Sequence, residues 1–133
     1  MRILFAAVVM AASPAIACNT EMISVQDNWT AENLRSEGDT VFTKIDLTYQ
    51  YDGTQPYRMI DGSIRFRDAT GSAIASLGLN RDDALAPGET SSLSITSFGP
   101  DLPRLATVNR SEIEVTTCVR TIIYEDGTKE TFE

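Results

Sequence analysis

The chain has 133 residues, with 19 acidic and 11 basic side chains, two cysteines, no histidine and a net charge of −8. That length suits one domain, and 42% hydrophobic with 23% charged residues marks a globular rather than a disordered chain. The lack of histidine excludes Ser-His-Asp and Cys-His nucleophile sites and histidine metal centres, and the acidic balance argues against nucleic acid as a partner.

Residues 1–17 read as a secretory signal peptide. Arg2 supplies the positive start, Ile3 to Ala12 form an uncharged apolar run, and Ala15-Ile16-Ala17 is a small-x-small cleavage site before Cys18. The run is too short to span a bilayer, and no later stretch approaches the ~18 apolar residues a span needs. The expected product is a single domain, residues 18–133, exported to the periplasm or the extracellular space, with no membrane span. Losing Arg2 leaves 19 acidic against 10 basic side chains, a charge of −9.

Cys18 and Cys118 are an even pair, which in an oxidising compartment predicts one disulfide. Closing a loop of about 100 residues stabilises by ~4–5 kcal/mol at most. The alternative is a bacterial lipoprotein with Cys18 lipidated, since Ala15-Ile16-Ala17-Cys18 resembles a lipobox with alanine at the usual leucine position. Lipidation leaves Cys118 as a lone thiol, so the even count favours the disulfide.

The rest of the chain is patterned with period two. Residues 30–38 permit one helical turn after a Thr30 cap. Val41, Thr43, Ile45, Leu47, Tyr49 and Tyr51 share one strand face, and Lys44, Asp46, Thr48 and Gln50 the other, with Phe42 an exception among them. Asp52-Gly53 is a turn. Tyr57 to Arg67 places Ile60, Gly62, Ile64 and Phe66 together, and Ala73 to Leu79 is a short apolar strand. Asn80 to Pro87 is a polar connection. Thr90 to Phe98 is a Ser/Thr-rich strand carrying Leu93 and Ile95, followed by a loop at 99–103. The last long strand sets Ile113, Val115, Thr117, Val119, Thr121 and Ile123 on one face. Glu112, Glu114, Thr116, Cys118 and Arg120 take the other, so a bridge from Cys118 clips the chain start over the outside of the sheet, unless a bulge near Thr116 reverses the facing. Asp126-Gly127 returns the chain as a hairpin through Lys129 to Phe132. Short strands with turn punctuation predict an all-β fold: one antiparallel β-sandwich, immunoglobulin-like, of about seven strands.

The stretch Ile64-Arg65-Phe66-Arg67-Asp68-Ala69-Thr70-Gly71 resembles the strand and turn of FxLYD-type domains, with Ile64 and Arg67 at the phenylalanine and tyrosine positions of Phe-x-Leu-Tyr-Asp. Leu85-Ala86-Pro87-Gly88-Glu89 is similar to the turn before a later strand of that family. The resemblance spans about residues 40–98. It implies a small immunoglobulin-like module on an exported protein, with an accessory or binding role and no catalytic residues.

No cofactor motif, metal loop or assisted nucleophile is present. Asp82, Asp83 and Asp101 lie in loops without the D-x-D-x-D-G pattern of a calcium loop, and read as solvated turns. Glu112 and Glu114 on one strand face stand about 7 Å apart by strand geometry, a spacing that admits a carboxylate-only glycan hydrolase as the enzyme alternative. Cross-strand pairing of these glutamates with Arg65, Arg67 or Arg120 is favoured over catalysis. The expectation is a non-enzymatic module that binds a protein partner or serves envelope assembly. Its contact surface is expected at Tyr49, Tyr51, Tyr57 and Arg58, since tyrosine and arginine are enriched at binding hot spots.

Overall fold

The computed structural model describes residues 18–36 and 38–132; the expected signal peptide, residues 1–17, lies outside them. In chain order the described residues form β1 (Ile23–Val25), β2 (Thr30–Arg35), β3 (Val41–Tyr51), β4 (Tyr57–Arg67), β5 (Ala73–Gly78), β6 (Thr90–Ser97), α1 (Arg104–Thr107), a single 3-10 turn (Arg110–Glu112), β7 (Glu114–Tyr124) and β8 (Lys129–Thr131).

Alternation turns β3 into a two-faced plank. Thr43, Ile45, Leu47, Tyr49 and Tyr51 are buried, and the polar residues between them face away. β6 pairs with β3 from Thr43↔Ser97 to Gln50↔Thr90 and so fills one edge. β1 and β2 divide the other edge, pairing with the end and the start of β3 respectively. A second antiparallel sheet has the order β5-β4-β7-β8. The core lies between the two sheets. There Tyr51 meets Tyr57 edge-on at 4.7 Å, and Trp29, from the β1–β2 connection, meets Phe66 at 5.1 Å. The Arg110 guanidinium lies over the Trp29 ring, 3.9 Å from its centroid, and donates to the Trp29 and Asp27 carbonyls.

Two local expectations change. The permitted helical turn at 30–38 is instead β2, paired from Thr30↔Asp46 to Arg35↔Val41. The helix-compatible residues Ala31, Glu32 and Leu34 yield to the unfilled edge of β3, a tertiary demand that outweighs weak local propensity. The inward face of β7 holds only as far as Val119. The register steps from Gly62↔Val119 to Asp61↔Thr121, which leaves Arg120 as an extra residue. Beyond this bulge Ile122 and Tyr124 turn inward, while Thr121 and Ile123 take the outer face. The Asp52-Gly53 turn carries the chain from one sheet to the other.

The disulfide forms, joining Cys18 to Cys118 with Cα atoms 5.2 Å apart across 100 residues. The bulge sits at Arg120 rather than near Thr116, so Cys118 keeps its outward phase between the inward Thr117 and Val119. It is nevertheless buried, because the chain start lies against it. Asn19 and Val119 exchange two backbone hydrogen bonds of 2.8 Å.

Candidate functional site

Tyr49, Tyr51 and Tyr57 are 0%, 0% and 1% exposed, so the contact surface expected there is not a surface. The cause is the crossing between sheets. Odd residues of β3 point inward, an extra residue at Arg58 in β4 sets Tyr57 inward too, and the three rings fill that end of the core. Arg58 alone of the four is exposed. The Tyr51 hydroxyl donates to the Gln55 carbonyl at 2.6 Å, and the Tyr49 hydroxyl accepts from the Asn80 backbone N–H at 3.3 Å. Among the described residues the Tyr57 hydroxyl has no hydrogen-bond partner. Burial pushes all three phenols above their ordinary pKa.

The acidic candidates separate as well. Glu112 belongs to the 3-10 turn and Glu114 opens β7, both exposed, so they do not form a pair on one strand face. Arg120 pairs with Asp61 at 3.2 Å rather than with a glutamate, and Arg81 reaches the same oxygen at 3.2 Å. The hydrogen bond from Arg120 is the main reason the Asp61 pKa is lowered. Asp83 accepts from the Ser91 hydroxyl at 2.6 Å and from the Asn80 side chain at 3.1 Å. Among the described residues no group of three or more His, Cys, Asp or Glu side chains gathers into a metal site. Asp68 is held by its own turn. It accepts from the Thr70 hydroxyl and backbone N–H and from the Ser72 N–H, and Arg104 of α1 adds a bond of 2.8 Å. The Thr70 hydroxyl foremost, then Arg104, drives its pKa far below the carboxylate range. This carboxylate is a strut between the β4–β5 turn and α1, and each of its partners is structural.

Two of the three exposed large apolar side chains among the described residues, Leu34 and Phe98, lie at one end of the sandwich; the third, Met59, is in β4. β6 ends at Ser97, and Gly99-Pro100 turns the chain towards α1, leaving Phe98 68% exposed. Its ring packs edge-on against Phe42, centroids 5.7 Å apart. Phe42 occupies an outward position of β3 directly opposite Leu34, itself 37% exposed. Round the edge of β6 from this trio a cleft of about 370 Å³ opens between the sheets, lined by Ile74, Leu77, Ile95 and Leu102 among others. Asp101 is the one ionisable side chain in its lining. A lone carboxylate beside aliphatic walls supplies no acid–base pair; the chemistry on offer is the burial of apolar groups.

Comparison with protein-family models, with curated proteins and with solved structures finds no match to this chain. Sequence reading missed Leu34, Phe42 and Phe98 as a group. The one available signal was Phe42, which interrupts an otherwise polar strand face.

Proposed function

We propose that the protein is an exported, non-enzymatic binding module of immunoglobulin-like topology that holds a protein partner at its Phe98 end. The carrying observation is the cluster of exposed Phe98 and Leu34 with half-buried Phe42, beside an apolar cleft, in a chain of net charge −8. Contiguous exposed apolar groups rimmed by polar residues mark interaction surfaces. β1 and β2, taken as one interrupted edge strand, give three strands facing four, in keeping with the immunoglobulin-like plan and with the resemblance to FxLYD-type domains. The disulfide suits an oxidising periplasmic or extracellular setting, and the apolar start of the chain suits export to it. The Cys18 sulfur is bonded to Cys118, which weighs against the lipid-anchored alternative. Separation of Glu112 from the β7 face weighs against the glycan hydrolase.

Site-specific photocrosslinking tests this reading in the native host. A benzophenone side chain at position 98 is expected to yield discrete protein adducts, and one at position 58 none. Adducts at 58 alone, or at neither position, refute a binding surface at the Phe98 end.

A further inference from the structure

The backbone of β6 points to the form of the partner at the Phe98 end. The register of β6 on β3 is unbroken over Thr90–Ser97, with no bulge. The Glu89 carbonyl accepts from Tyr51 N–H across this ladder, so residues in phase with it (Ser91, Leu93, Ile95 and Ser97) direct their N–H and C=O groups at β3. Thr90, Ser92, Ser94 and Thr96 direct theirs outward. The Asn80 side chain confirms this parity by donating to the Ser92 carbonyl from outside at 3.2 Å. Asn80 covers the first half of the edge. Among the described residues no strand pairs with β6 on its outer side, and Ser94 and Thr96 flank the Phe98 end.

Natural proteins protect such edges with charge, proline, bulges or brevity. β8 has three residues including Lys129 and Glu130, and the β1–β2 edge is interrupted and carries Glu32 and Arg35. The β4–β5 pairing is bulged at Phe66/Arg67. β6, Thr-Ser-Ser-Leu-Ser-Ile-Thr-Ser, has none of these devices.

We infer that β6 receives an added strand: an extended, net-basic polypeptide segment pairs with Ser94 and Thr96 and sets alternate apolar side chains into the cleft. This deepens the proposed function and rests on it. A row of outward N–H and C=O groups is matched by an extended backbone and by no other polypeptide conformation. The parity of β6 sets the pattern of the guest. Residues in line with Ile95 enter the cleft of Ile74, Leu77 and Leu102, and residues in line with Ser94 and Thr96 remain in water. Charge decides between guests. The chain carries −8 at a pI near 4.5, so a basic segment is attracted, whereas a second copy brings the same negative charge.

The probe is a phage-displayed library of random nonapeptides, selected on the disulfide-bonded protein. Thr96 directs its N–H outward, so proline there removes an edge donor while the β3 ladder remains complete. Selected peptides are expected to alternate apolar and polar residues with an excess of lysine and arginine. A synthetic copy should lose about tenfold or more in affinity for Thr96→Pro, the equivalent of ~1.4 kcal/mol. Should Thr96→Pro unfold, N-methylation of the peptide backbone replaces it: methyl groups at every second residue should abolish binding in one phase and spare it in the other. Binding that is lost on Phe98→Asp but indifferent to Thr96→Pro and to both methylation phases overturns strand addition and leaves the Phe98 surface standing. Binding indifferent to Phe98→Asp, or no enrichment at all, overturns both. A dimer seen in sedimentation velocity and abolished by Thr96→Pro overturns the basic guest in favour of a second copy.

Discussion

Tyr51 and Tyr57 touch ring to ring in the same buried corner, yet their hydroxyls predict opposite responses to the same substitution. Tyr51→Phe removes a satisfied bond to the Gln55 carbonyl and is expected to cost about 0.5–1.5 kcal/mol in urea unfolding. Tyr57→Phe removes a buried hydroxyl without a partner and is expected to hold or raise stability. Tyr51→Ala, by contrast, empties a fully buried ring site and should cost ~3–5 kcal/mol. The same ring explains Gly53, where a Cβ would stand 2.1 Å from the Tyr51 hydroxyl oxygen, so Gly53→Ala must displace the tyrosine that seals this end. Composition rightly drew attention to these tyrosines, and then misread them. An aromatic cluster beside a turn looks alike in sequence whether the turn closes a surface hairpin or crosses between sheets. Only the distant pairing of β6 with β3 and of β7 with β4 decides which it is.

Strand positions were legible wherever one face is buried and the other wet, as in β3, because strict alternation records that asymmetry. Alternation also records facing only between bulges. The extra residue at Arg120 reverses the second half of β7, and Ile122 and Ile123 are chemically the same residue, so nothing in the local sequence shows which of them turns inward. The expected consequence is measurable. Ile122→Ala, at 0% exposure, should destabilise by ~2–5 kcal/mol, and Ile123→Ala by clearly less. The binding elements were hidden for a related reason. Phe42, Leu34 and Phe98 come from three separate segments, and β6 reads as an ordinary polar strand until its unpaired edge is known. The cysteine pair was the most legible long-range contact, because two cysteines admit one intramolecular pairing. Replacing both by serine should lower stability by up to ~4–5 kcal/mol while leaving the β-sheet circular dichroism at low temperature unchanged.

The lack of histidine shapes how the stability of the fold depends on pH. Asp61 and Asp68 have folded-state pKa values below the ordinary carboxylate range, so the unfolded chain takes up protons first as pH falls. Their contribution is complete above about pH 4 and fades as pH drops towards the folded values. Tyr49, Tyr51, Tyr57 and Tyr124 have raised values, so their contribution is complete below about pH 10 and fades as pH climbs beyond it. Between these limits no side chain with a shifted pKa titrates among the described residues, and both cysteines are bonded. Melting temperature should therefore be level from about pH 5 to 9 and fall on both sides, with Asp68→Asn flattening the acid limb. The bond between Cys18 and Cys118 also sets a line of mechanical force. Tension applied between the two ends of the described chain enters β7 directly through the sulfur atoms and leaves by β8, so residues 19–117 bear no load. An optical trap should extend the oxidised protein by little more than the peeling of β8. Reduction should release about 330–360 Å of additional contour, turning a rigid strap into a long tether.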